Sequence, residues 1–176
     1  QIRGDELLFV NSIASQYMNH DESVAYVEQY SFLQDRIVIE ITEEDSPDLT
    51  ALLKKREMPG FSGVFALDDY GSGYSNEGSL LELAPRFIKV DISIIRGIDS
   101  DPDKQQILRN VVRYAQPRSM QIIAEGVETA EELKKVLELG VDGLQGYFLA
   151  KPANIPTRIA PAARQIIENS HSSDCG

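Results

Sequence analysis

The 176-residue chain has one cysteine, Cys175, so no disulfide can form within it. That suits a reducing cytoplasm. Positive charge is scarce: 17 Lys and Arg stand against 28 Asp and Glu, giving a formal charge of −11. A nucleic-acid backbone is held by clustered cations that displace phosphate counterions, so this balance excludes a nucleic-acid polymer as partner. A small phosphorylated ligand stays compatible where cations offset the acids. Long apolar runs are also missing. No stretch approaches the roughly 18 apolar residues of a membrane span, and no basic-then-apolar leader precedes the first strand. The expectation is a soluble, cytoplasmic segment, alone or as the cytoplasmic part of a membrane-anchored protein. The two histidines, His20 and His171, fall in an expected loop and tail and receive no role.

What the chain does have is a recurrence. Six short apolar runs, at 7–10, 37–39, 64–67, 87–88, 121–124 and 143–144, each end near a polar residue: Asn11, Glu40, Asp68 with Asp69, Lys89 with Asp91, Glu125 and Gln145. Helical signals lie between most of them. Ser46-Pro47 and Asp101-Pro102 read as N-cap and first helical residue. Thr129 with Glu132 three residues later is a capping box, and Gly140 supplies a stop. A weaker helix is expected over 22–30 and an uncertain one over 162–168. Alternating strands and helices imply parallel strands with helices outside.

The fold class that follows is α/β, a modified TIM-like (β/α)8 barrel lacking its first one or two β/α units, because the runs number six where such a barrel has eight. An open, doubly wound parallel sheet is the runner-up; it suits the length better and the polar strand ends less well. The barrel domain is expected over residues 1–168, with 169–176 a polar tail or linker.

In a β/α barrel the carboxyl ends of the strands surround one pocket, so these polar residues would converge. Asp68 and Asp69 are neighbours, and both reach one site only if the backbone turns at the strand end. The glycines of Tyr70-Gly71-Ser72-Gly73-Tyr74-Ser75 permit tight turns or close approach to a ligand. Two carboxylates about 4 Å apart repel by about 4 kcal/mol at an effective dielectric near 20. Such a cluster therefore protonates in part or binds cations. Oxygen donors without Cys or His favour Mg²⁺ or Mn²⁺ over Zn²⁺. Two such ions would activate a bridging water and stabilise an in-line phosphoryl displacement, with Lys89 holding the water or stabilising charge on the phosphorane. Alternatives stay open at this point. A single acid at a strand end serves as a helix cap or turn residue, the preferred role for Glu43. Lys89 can also be exposed, pair with Asp91, or form a Schiff base as in aldolases, although surrounding acids favour its protonated form.

The blocks Phe9-Val10-Asn11, Ile39-Glu40-Ile41-Thr42-Glu43, Leu67-Asp68-Asp69 through Ser75, Ile88-Lys89-Val90-Asp91, Ala124-Glu125-Gly126-Val127-Glu128-Thr129 and Gln145-Gly146-Tyr147 resemble, in order, those of the EAL-domain cyclic di-GMP phosphodiesterases. The resemblance implies a modified β/α barrel that hydrolyses cyclic di-GMP to linear pGpG with Mg²⁺ or Mn²⁺, using two ions. It implies Asn11, Glu40 and Asp68 as ligands of a first metal and Asp69 as a contact to a second. Lys89 resembles the family's catalytic lysine and Glu125 its general base. By the same resemblance Asp91, Glu128 and Gln145 lie around Glu125 as substrate-binding or supporting residues, and Glu43 looks like the residue that braces the glycine loop. The resemblance further implies a homodimer, with residues 92–108 either its interface or equally an ordinary exposed barrel helix, and a parent chain carrying sensor, receiver or GGDEF domains.

The Glu-Ala-Leu strand that names the family is absent. Its glutamate normally completes the metal site. Two readings follow: a phosphodiesterase whose start lies outside this sequence, or an inactive EAL domain acting as a cyclic di-GMP receptor or protein-interaction module.

Overall fold

The computed structural model describes residues 6–11, 19–42, 64–73, 80–81, 83–154 and 158–173. The chain divides into two compact units, Gln1–Asp68 with Tyr74–Arg86, and Asp69–Gly73 with Phe87–Gly176.

In the first unit β1 (Leu8–Asn11) is followed by α1 (His20–Tyr30), a 3₁₀ segment (Ser31–Arg36), β2 (Ile37–Thr42) and β3 (Phe65–Tyr70), which belongs to this unit as far as Asp68. Helix α1 opens on a reciprocal pair: the Asn19 N–H donates to Glu22 Oε2 and the Glu22 N–H to Asn19 Oδ1, both at 2.9 Å. Two orphan donors of the first turn are thereby satisfied. The helix starts earlier than its apolar pattern suggests, and His20 is its first residue rather than part of a loop. The strands run parallel, Leu8 opposite Ile37 and Ile39 opposite Phe65. Val38, Ile41, Phe65, Ala66 and Leu67 form buried apolar positions on both faces, as expected for parallel strands covered on two sides. The helix expected after Ser46 lies outside the described residues.

The second unit carries β4 (Phe87–Val90), the four-residue helix α2 (Ile92–Ile95), α3 (Pro102–Ala115), β5 (Gln121–Ala124), α4 (Ala130–Glu138), β6 (Gly143–Leu144) and α5 (Pro161–Ser173). Again the strands are parallel and consecutive: Lys89 faces Ile123, which faces Gly143. Both expected caps form. The Asp101 side chain accepts from the N–H groups of Asp103 and Lys104, with Pro102 inside the first turn. Thr129 and Glu132 make both bonds of the capping box, and Gly140 closes α4 at φ +86°. Leu108, Val111 and Val112 of α3 and Leu133 and Val136 of α4 are buried, the stripe that an amphipathic helix turns inward. Helix α5 extends through Ser173, beyond the 162–168 expected from its pattern, so His171 is helical rather than in a tail.

No helix among the described residues is long and apolar enough to cross a membrane.

Candidate active site

Side chains two residues apart on a strand share a face, and register partners share it too. In the first unit Asn11 is the register partner of Glu40, and Glu40 of Ala66, which is two residues before Asp68. Asn11, Glu40 and Asp68 therefore stand on one face at the carboxyl ends of β1, β2 and β3. Glu40 and Asp68 are only 7% and 8% exposed, while Asn11 is exposed. Carboxylates are almost never buried without partners. Glu43 lies outside the described residues.

In the second unit Lys89 is level with Ile123, two residues before Glu125, and Ile123 with Gly143, two before Gln145. The same parity brings Lys89 and Glu125 together: Nζ and Oε1 are 2.9 Å apart, with the side chains 8% and 13% exposed. Lys89 is thus neither solvent-exposed nor paired with Asp91 in a salt bridge. The Asp91 carboxylate caps α2 instead, accepting from the Ser93 N–H at 2.9 Å.

Asp69 has φ +55°, so the chain turns there, as two adjacent acids at a strand end require. Aspartate tolerates this left-handed conformation better than most residues. A carboxylate oxygen of Asp69 lies within 4.8 Å of one from Glu125. Two carboxylates this close, one of them paired with Lys89, form a donor set that suits a hard divalent cation. In the first unit, Glu40 and Asp68 are also carboxylate oxygen donors, on largely buried residues.

Helix α2 sits against the loops that follow both acids. A Cβ on Gly71 would collide with Ile94 Cδ1, and one on Gly126 with the side chain of Ile92. Gly126 also has φ +70°. The Asp91 N–H donates to the Tyr70 carbonyl at 3.0 Å, fixing the start of α2 to the end of β3.

Beyond Gly126 the loop meets three charged groups. Arg96 ion-pairs with Glu128, and its Nε lies 3.9 Å from Glu132 Oε1. The hydrogen bond to Glu128 raises the Arg96 pKa, and the bond from Arg96 holds Glu128 below the usual carboxylate range. Burial works to raise Glu132, but the N–H groups of Gly97, Glu128 and Thr129 and the charge of Arg96 together outweigh it, and its pKa is lowered. Glu128 and Gln145 both line a cavity of about 480 Å³ together with Gly126, Tyr147, Lys151 and Pro152. This is within the usual size of small-molecule sites.

Of the sequence candidates, the second unit brings Asp69, Lys89 and Glu125 together and sets Glu128 and Gln145 on one cavity, while one oxygen of Asp91 caps α2. Arg96, Glu132 and the Tyr147–Lys151 wall were not among the candidates. Glu132 carried a local signal only as a capping residue; Arg96 carried none.

Parallel β/α repeats with acids and a lysine at the strand ends are the marks of a β/α-barrel domain with an acidic active site. The family model for the EAL domain matches residues 1–152, and the chain belongs to that family. It is 34% identical over 136 residues to the probable cyclic di-GMP phosphodiesterase PdeG of Escherichia coli K12, an alignment covering 75% of this chain and 26% of PdeG. Among solved structures, the manganese and cyclic di-GMP complex of Klebsiella pneumoniae BlrP1 matches 85% of this chain and 40% of its own, with TM-score 0.74 and 30% identity. A standalone EAL protein of Vibrio cholerae O395, bound to cyclic di-GMP, matches 90% of this chain and 70% of its own, with TM-score 0.75 and 27% identity. The fold class is accordingly the TIM-like barrel of the EAL domains, not an open doubly wound sheet. The chain spans only about a quarter of the length of PdeG.

Proposed function

We propose that this chain carries the site of a metal-dependent phosphodiesterase that hydrolyses cyclic di-GMP to linear pGpG and so lowers this second messenger in bacterial signalling. The observation that carries the reading is the buried Lys89–Glu125 pair with the Asp69 carboxylate beside it, in a chain similar to cyclic di-GMP complexes.

Asn11, Glu40 and Asp68 would hold one ion and Asp69 would contact a second, as the family resemblance implies. Bound there, Mg²⁺ or Mn²⁺ would supply Lewis-acid stabilisation of the charge that develops in an in-line displacement at phosphorus. Glu125 takes the proton of the attacking water. The water oxygen forms the new bond to phosphorus, one P–O ester bond breaks, and the released sugar oxygen gains a proton. Lys89 holds the Glu125 carboxylate in place and faces the charge gathering on the phosphoryl oxygens. Glu128 and Gln145 contact the nucleotide from the cavity, Asp91 supports the site through α2, and Glu43 braces the glycine loop. A homodimer through residues 92–108, sensor, receiver or GGDEF domains elsewhere in the parent chain, and a cytoplasmic setting complete the reading.

The test is to incubate the full-length protein with cyclic di-GMP in the presence and absence of Mn²⁺ and Mg²⁺. Metal-dependent pGpG is the expected product. Binding without pGpG would instead make the domain a cyclic di-GMP receptor.

A further inference from the structure

Glu132 does more than cap a helix. In a capping box the third helical residue reaches back to the N-cap N–H, and here Glu132 Oε2 accepts from Thr129 N at 3.1 Å. The same oxygen also accepts from Glu128 N at 2.8 Å. The other oxygen, Oε1, accepts from Gly97 N at 2.9 Å, thirty-five residues away in sequence. The side chain is 2% exposed. A cap alone explains neither the depth of this burial nor the bond to Gly97.

The three N–H groups belong to two segments that matter for the site. Glu128 and Thr129 end the loop that starts at Glu125, and Gly97 lies in the turn that follows α2. That turn is fixed from another side as well, since Lys104 Nζ of α3 donates to the Arg96 carbonyl at 2.7 Å. At its start the loop is tied to β4 by the Glu125 N–H, which donates to the Val90 carbonyl at 3.1 Å. In its middle, Gly126 lies against Ile92. The far end has Glu132 as its buried anchor, reinforced by the half-exposed Arg96–Glu128 pair.

We propose that Glu132 is a positioning residue for the reaction: its carboxylate is the joint that locks the Glu125 loop to the α2 turn and thereby holds Glu125 against Lys89. This rests on the phosphodiesterase reading for its catalytic half and on geometry alone for the joint. A carboxylate is required because each oxygen meets N–H donors. A glutamine of the same size offers one acceptor oxygen and turns an NH₂ toward the remaining donor.

The experiment compares Glu132→Gln with Thr129→Ala in the full-length protein. Thr129→Ala removes the hydroxyl that caps α4 and leaves the Gly97 bond intact, so it controls for loss of helix stability. Amide hydrogen exchange, read without metal, is expected to quicken at Gly97 and Glu128 in Glu132→Gln and to stay near wild type at Gly97 in Thr129→Ala. In steady-state hydrolysis with Mn²⁺, Glu132→Gln is expected to lower kcat by about ten- to a hundredfold with little change in KM, the scale of a modest misplacement of a reacting group. Thr129→Ala keeps kcat. Glu132→Asp, which retains the charge but shortens the reach to all three N–H groups, reports the same joint if the amide variant does not fold. Equal kcat in Glu132→Gln and Thr129→Ala, or exchange at Gly97 no faster than wild type, overturns the proposal. A wild-type protein that makes no pGpG removes the functional reading and the catalytic half with it, while the exchange measurement still decides the joint.

Discussion

The ammonium of Lys89 lies 2.9 Å from Glu125 Oε1, and both side chains are nearly buried. The two residues come from adjacent parallel strands whose register sets them on one face, so the pair is built into the sheet. Replacing Lys89 with methionine keeps most of the side-chain length and removes the charge. Loss of one partner of a buried pair costs roughly 3 kcal/mol, because the other charge stays behind in a poor solvent for it. Denaturant titration of Lys89→Met checks this, and an unchanged midpoint would argue against the pair as drawn.

Glu125→Gln separates chemistry from binding. The amide keeps the shape of the side chain and cannot take a proton from water. Positioned general bases contribute about 10²- to 10⁴-fold, so kcat for cyclic di-GMP is expected to fall by that factor. Affinity for the nucleotide, measured by calorimetry with Ca²⁺ in place of Mn²⁺, is expected to change little. A variant that keeps wild-type turnover assigns the base elsewhere.

Much of this was legible in the sequence, and the limits have physical causes. Caps at Asp101 and Thr129 were readable because their bonds span two or three residues and depend on local chemistry alone. Strand cores were readable because parallel strands buried on both faces leave continuous apolar runs. Lys89 and Glu125 could each be suspected from their place at a strand end, but their pairing depends on the β4–β5 register, which no short window contains. Asp91 is a strand-end acid in the expected place, and its Oδ1 also accepts from the Ser93 N–H at the start of α2, a bond that spans two residues. Glu132 was visible as a cap, whereas its bond to Gly97 is tertiary and left no local mark.

Divalent metal is expected to raise stability as well as to support turnover. Asp69 and Glu125 hold anionic oxygens within 4.8 Å, and a cation between like charges relieves their repulsion. A ligand that binds only the folded state stabilises by about 2.7 kcal/mol at a hundred times its Kd. Mn²⁺ added to metal-stripped protein should therefore raise Tm, and Asp69→Asn should shrink the rise. Equal shifts in the two proteins would place the ion away from Asp69.

Two glycine substitutions test the packing of α2. Gly126 has φ +70° and a Cβ there would meet Ile92, whereas a Cβ on Gly73, at φ +112°, would meet no atom of the described residues within 4 Å. Left-handed backbone costs an L-residue roughly 1 kcal/mol, and forcing a methyl into a packed contact adds about 2 kcal/mol. Gly126→Ala is thus expected to lose about 3 kcal/mol and Gly73→Ala about 1 kcal/mol. Urea midpoints of the two variants give the comparison, and equal losses would mean that Ile92 moves aside freely.

The pH dependence of stability has a sign that Glu132 fixes. Burial pushes its pKa up, the three N–H donors and Arg96 push it down, and the net shift is below the ordinary value of 4.5. A carboxyl group with a depressed folded pKa stabilises the fold fully above its unfolded pKa, and that contribution disappears as pH falls through the folded value. The stability gap between wild type and Glu132→Gln should therefore be constant from about pH 6 to 8 and narrow below about pH 4.5, since only the wild type has this proton to gain. Denaturant midpoints across that range measure the gap. A gap that widens in acid would mean that Glu132 is held in its protonated form, with one oxygen donating, which three N–H donors around the carboxylate make untenable.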